Sequence, residues 1–223
     1  KSSLHRLLHT LVQGQYLSLN AGLFALGPES YRLASSIGQS TSPADFPASA
    51  RPVLEWLARE TGETVTLSVL SDSGNESVYV DVIESEAPLR LTLRIGNRRP
   101  LYTVAAGKVM LAFRDDAQQK AYLNQADFIG FTAETSAKEA MPALLAAARN
   151  EALVYDRNGM IDGASGIASP AFDAQGAVHC AVSVAGPTDR MDAERARFGA
   201  LVLQAGERIS RILGYAGDYP PGA

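Results

Sequence analysis

The chain has 223 residues, 46% apolar and 7% aromatic, with 20 Lys+Arg against 24 Asp+Glu and one cysteine. Such a chain can bury a sizeable core, which excludes disorder, and no run approaches the roughly 20 apolar residues of a membrane span. A net charge of −4 argues against a protein that coats nucleic acid or anionic membrane non-specifically.

In chain order, Leu4, Leu7, Leu8, Leu11 and Val12 recur at helical spacing and predict an amphipathic helix over 1–12. Its other face carries Ser2, Ser3, His5, Arg6 and His9, with no carboxylate to repel a phosphate. Lys1 and Arg6 are the only formal charges before Glu29, so the remainder holds 18 basic against 24 acidic residues, a net of −6. A small basic head on an acidic body suggests two jobs. Gln13-Gly14 is expected to end the helix at a left-handed cap. Strands over 16–19 and 23–26, joined across Asn20-Ala21-Gly22, predict a hairpin. Helix then hairpin is the outline of a winged DNA reader. His5 and His9 share a helix face, but Arg6 stands where a metalloprotease motif carries Glu, so no metal is expected. The chain opens on Lys1 inside a helix with no export signal, which predicts a domain that starts further upstream.

A short helical pattern over 29–38 leads into a Ser/Thr/Pro-rich stretch, 39–47, that reads as a linker. Asp45 is a candidate cap for a helix over 47–60, in which Trp56 is expected as a core anchor and Gly62 as the stop. The period then changes: 64–70 and 77–83 alternate and are rich in β-branched residues, predicting a hairpin, and a shorter strand is expected at 89–93. Helical patterns follow at 105–113, 117–124 and 138–150. Strands at 165–172 and 178–185 flank the turn Asp173-Ala-Gln-Gly176, and a final helix is expected over 192–213. Paired strands with helices around them predict an α+β fold with an antiparallel sheet, because tight hairpins cannot join parallel neighbours.

Several enzyme signatures nearly form, and each fails at a residue the chemistry needs. Ala106-Gly-Lys108-Val lacks the Ser/Thr of a phosphate loop, and Tyr102 occupies the place of its first Gly. In Gly163-Ala-Ser165-Gly-Ile167 the glycine stands one residue early for a nucleophile elbow. Cys180 lies among apolar strand residues and reads as a buried thiol; a lone cysteine forms no intrachain disulfide, and a reducing cytosol is its simplest setting. The segment 101–110 has another use. A helix starting near Ala105 would aim the backbone N–H groups of Ala105, Ala106 and Gly107 at a carboxylate, although Ala and Gly also serve tight helix packing. Arg90, Arg94, Arg98 and Arg99 precede it, and one of them could pair with that carboxylate.

The stretch Lys1-Ser-Ser-Leu-His-Arg-Leu-Leu-His-Thr-Leu-Val12, with Gly14, Tyr16-Leu17 and Leu26-Gly27, resembles the recognition helix and wing of the IclR family of bacterial transcriptional regulators. Tyr102-Thr-Val-Ala-Ala-Gly-Lys108, Asp156, Gly163 to Asp173, Cys180 to Pro187 and Arg190 resemble that family's effector domain in matching order. The resemblance implies a partial winged helix-turn-helix head over 1–27, a linker helix over 28–46, and a GAF-like effector domain over 47–216, a twisted antiparallel sheet flanked by helices, with a tail over 217–223. It implies DNA contacts by Ser2, Ser3, His5 and Arg6, and an effector site with backbone N–H groups of Ala105 and Ala106, the Asp156 side chain and the Ser183 hydroxyl. Gly166 and Ala185 stand where some relatives place a Cys and a second Ser, which predicts a wider, more apolar cavity and an aromatic or larger carboxylate as ligand. No catalytic residue, cofactor or membrane contact is expected. The implied partners are operator DNA, a small organic acid, and further copies of the chain in a homodimer or homotetramer in the cytoplasm. The competing reading is a metabolic enzyme on the same acid, with Asp156 or Asp162 as general base and Lys108 as electrophile; an inert scaffold would have no filled pocket.

Overall fold

The computed structural model describes residues 2–20, 22–38 and 45–221, with the side chains of 2, 3 and 34–38 excepted. Ala21 in the expected turn, most of the expected linker, and the Ser2 and Ser3 side chains therefore lie outside the described residues. The chain divides into two compact units, Lys1–Ser49 and Ala50–Ala223.

In the first unit, helix α1 runs Ser2–Gln13. It closes one residue later than the sequence suggests. Gln15, not Gly14, takes the left-handed conformation, at φ 60°, while the Gly14 and Tyr16 amides return to the carbonyls of Thr10 and Leu11 at 2.9 Å. Strands β1 (Leu17–Asn20) and β2 (Leu23–Leu26) pair antiparallel with Leu17 opposite Leu26. Helix α2 (Pro28–Gly38) begins on proline, whose fixed φ suits a first helical position. Gly27 before it is held by proximity, because a Cβ there would collide with the Gln15 carbonyl. Ser30 Oγ donates to Tyr16 O at 2.7 Å and ties α2 to the hairpin.

The second unit starts with α3 (Arg51–Thr61), which buries Val53, Leu54 and Leu57 and stops at Gly62, φ 70°. Asp45 does not cap it: the N-cap position is Ala50, without a side-chain bond. Trp56 is half-buried, with the Arg208 guanidinium 4.0 Å above its ring, so it is a cation-π shelf and not the core anchor expected. Strands β3 (Thr64–Leu70), β4 (Glu76–Ile83) and β5 (Arg98–Pro100) follow. The strand expected at 89–93 is absent; that segment is irregular, and β5 supplies the edge partner of β4 instead. Helices α4 (Ala105–Ala112), α5 (Asp116–Gln125) and α6 (Met141–Glu151) lead to a short strand β6 (Val154–Asp156), then β7 (Ala164–Phe172) and β8 (Val178–Pro187). The last helical stretch is two helices, α7 (Thr188–Ala193) and α8 (Arg195–Ile212), broken at Glu194.

Strands β3 to β8 form one antiparallel sheet in the order β5-β4-β3-β8-β7-β6. Successive strand residues face opposite sides, and β7 makes the layering explicit. Gly166 faces Ala105 of α4, whereas Ile167 faces Gly199 of α8. The α4 side holds Leu101, Tyr102, Val109, Met110, Leu111, Met141 and Leu145, all at most 1% exposed. Tyr219, in the segment read as a tail, donates from its hydroxyl to Pro170 O at 2.7 Å. Among the described residues no helix is long and apolar enough to cross a membrane.

Candidate functional site

The α4 face of the sheet is polar where a core would be apolar. In β3 the residues Thr64, Thr66 and Ser68 alternate onto one side, and all are at most 1% exposed. Buried polar groups need partners. Thr66 and Ser183, opposite one another on β3 and β8, share a hydroxyl hydrogen bond of 2.6 Å, and Thr64 Oγ1 donates to Leu91 O at 2.7 Å.

Above this face lies a cavity of about 70 Å³, several times the roughly 10–15 Å³ that one water requires. Ala105, Ala106, Asp156, Gly166, Ser183 and Ala185, the six residues singled out from the sequence, all line it. Every strand of the sheet contributes: Arg99 from β5, Tyr79 from β4, Thr66 from β3, Ser183 and Ala185 from β8, Ser165 and Gly166 from β7, and Asp156 from β6. The rest of the wall is largely apolar, with Leu91, Leu93, Val104, Met160 and Ile161.

Helix α4 begins at the cavity edge. Val104 is extended (φ −137°) and no side chain caps the helix, so its first N–H groups have no side-chain acceptor and the dipole favours a negative group there. The approach is close because Gly107 has no side chain: a Cβ would stand 2.5 Å from Leu101 O. Further along the helix, Lys108 is 1% exposed and forms an ion pair with Asp156 of β6. Burial pushes the Asp156 carboxyl above the usual carboxylate range, and the Lys108 ammonium pulls against that rise. Gly159 leaves room for this carboxylate, since a Cβ there would collide with both of its oxygens.

Tyr79 and Arg99 form the opposite wall. Burial raises the Tyr79 phenol, and the adjacent Arg99 guanidinium opposes the rise. The neighbouring arginines are directed elsewhere: Arg90 lies 3.8 Å from Glu84, Arg98 lies 3.1 Å from Glu76, and neither they nor Arg94 line the cavity. Asp162 is exposed and also stands outside it.

Two devices hold the irregular segments over the cavity. Arg190 binds the buried Glu63 with two nitrogens, at 2.5 and 2.9 Å, and donates to Leu89 O at 2.9 Å. Asn158 accepts from Thr188 Oγ1 at 2.5 Å and from Gly163 N at 3.1 Å, while Thr132 and Thr135 donate to the Asn158 and Gly159 carbonyls at 2.6 and 2.8 Å. The sequence reading missed Thr66, Tyr79 and the apolar wall. A signal was present in the alternating polar residues Thr64, Thr66 and Ser68, because a strand that hides polar groups on one face is covering something other than a plain core.

In the first unit, His5 and Arg6 are exposed on α1. The rings of His5 and His9 pack edge to face with centroids 4.5 Å apart, and Leu4 and Leu7 are 62% and 57% exposed.

Comparison with known proteins gives consistent results. Residues 38–211 match the family described as "Bacterial transcriptional regulator IclR C-terminal". The chain is 34% identical over 219 residues to the HTH-type transcriptional regulator XynR of Escherichia coli, covering 96% of this chain and 85% of that protein. An IclR transcriptional regulator from Alicyclobacillus acidocaldarius superposes with a TM-score of 0.84 at 21% identity, covering 96% of this chain and 85% of that one. An IclR homologue from Microbacterium hydrocarbonoxydans, crystallised with 4-hydroxybenzoate, gives 0.78 at 22% identity, covering 95% and 85%.

Proposed function

Since the chain belongs to the IclR family of bacterial transcriptional regulators, we propose that it is a DNA-binding regulator controlled by a small organic carboxylate, aromatic or otherwise larger than a two- or three-carbon acid. The observation that carries this reading is the cavity lined by Ala105, Ala106, Asp156, Gly166, Ser183 and Ala185. The uncapped start of α4 offers N–H groups to an anion. Asp156 and Ser183 can accept from, or donate to, further polar atoms of the ligand. Gly166 and Ala185 add neither bulk nor side-chain polar atoms to the wall. That a protein of the same fold takes 4-hydroxybenzoate makes this acid a rational first probe.

The head supplies the DNA contacts in this reading. Ser2, Ser3, His5 and Arg6 stand in the first turns of α1, where short hydrogen-bonding groups and a guanidinium suit phosphates and base edges in a major groove. Paired recognition helices reading two half-sites require at least a homodimer, and a homotetramer is a dimer of such dimers. The regulator acts in the cytoplasm, where its operator is. Turnover finds less support. Lys108, the electrophile such a reaction needs, is sealed away from the cavity and committed to Asp156, and Asp162 is outside.

A mobility shift of the protein on its own upstream DNA, at fixed salt and with 4-hydroxybenzoate or benzoate added, tests the reading. The expected result is a shift whose midpoint moves with the acid, which is recovered chemically unchanged. Specific DNA binding that no carboxylate alters, or conversion of the acid to product, would overturn it.

A further inference from the structure

We propose that the cavity selects a dianion, two carboxylates held apart by a ring-sized apolar spacer, and that Arg99 is the residue that determines this specificity. The inference rests on the reading of the cavity as an acid-binding site and adds a second pole to it.

The first observation is charge. Among the described residues Arg99 has no ion-pair partner, although its neighbours Arg90 and Arg98 are matched by Glu84 and Glu76. Its guanidinium donates to Arg98 O at 3.1 Å and interacts with the Tyr79 phenol at the cavity wall, with no carboxylate to match its charge. Asp156 does not compete for it, since that carboxylate is matched by Lys108. The cavity therefore holds one cation in excess, quite apart from the start of α4. Filling it with a mono-acid seated at α4 would strip water from Arg99 and return nothing. A second carboxylate would meet the guanidinium in a charge-assisted, two-pronged contact, with the Tyr79 hydroxyl at hand.

The second observation is separation. Ala105 stands against Gly166 and over β7 and β8, whereas Arg99 springs from β5, opposite Ser77 of β4. Three inter-strand steps of about 4.8 Å separate β5 from β8, less the reach of the arginine back over β4 to Tyr79. What remains exceeds a two-carbon acid and is on the scale of a benzene ring. The wall between the poles is Leu91, Leu93, Val104 and Met160, which suits a spacer without polar atoms.

Calorimetry on the protein with benzene-1,4-dicarboxylate, benzoate and 4-hydroxybenzoate tests this, with circular dichroism confirming that each variant is folded. The dicarboxylate should bind the wild type about tenfold tighter than benzoate, the scale of one charge-assisted contact. Arg99→Gln should erase that preference, bringing the dicarboxylate and benzoate to similar affinities, and Arg99→Lys should restore part of it. A wild type that gains nothing from the second carboxylate, or an Arg99→Gln variant that keeps the preference, overturns the inference and leaves acid sensing intact. If folded protein binds no acid at all, the acid-sensing reading falls and this inference with it.

Discussion

Lys108 and Asp156 are the residues whose burial is hardest to reconcile with their chemistry. Each ion would be costly alone when this deeply buried, and each is made tolerable by the other. Removing one partner should therefore be worse than removing both. Lys108→Met and Asp156→Leu should each lower stability by about 3–5 kcal/mol, while the two combined should recover much of that loss. Urea denaturation of the four proteins checks it. A double variant as unstable as the sum of the singles would mean that the two side chains act independently. Asp156 thus serves twice, as half of an ion pair and as a wall of the cavity, and only the second role was readable in the sequence. The partner was not, because Lys108 sits forty-eight positions away in a helix whose contacts depend on how the chain closes.

Among the elements, those with a long, regular pattern were legible. The β3–β4 hairpin, α4 and the β7–β8 pair lie within a residue or two of their expected limits because alternation or helical spacing runs through each. Short edge elements were not. Strand β6 has three residues, too few for a period to register, and β5 reads Arg-Arg-Pro, a composition that suggests a loop. The alternating segment Leu89-Arg-Leu-Thr-Leu93 has a strand-like pattern, yet it finds a cavity to cover in place of a neighbour to pair with, so Leu91 and Leu93 became wall. That cover is fastened chiefly by Arg190. Arg190→Gln should speed amide exchange across residues 86–93 while leaving β7 and β8 protected, and should lower stability by about 1–3 kcal/mol through the unmet bonds of Glu63. Exchange measured by mass spectrometry decides this; uniform loss of protection across the sheet would place the role of Arg190 elsewhere.

For the whole chain, charge is divided as sharply as the fold. The head carries Lys1, Arg6 and two histidines with no acid before Glu29, and the rest is net negative. A net-negative body is repelled by DNA, which in the proposed reading favours approach by the head. Arg6→Ala should weaken binding to all DNA sequences and reduce the salt dependence of log K by about one unit, without changing the affinity for acids. Titrations across a range of salt, paired with calorimetry, would show it; an unchanged slope would remove Arg6 from the phosphate contacts. The cavity has its own chain-wide meaning. Because each of the six ribbons lends it at least one group, its lining can be altered one rung at a time with no ribbon having to slip.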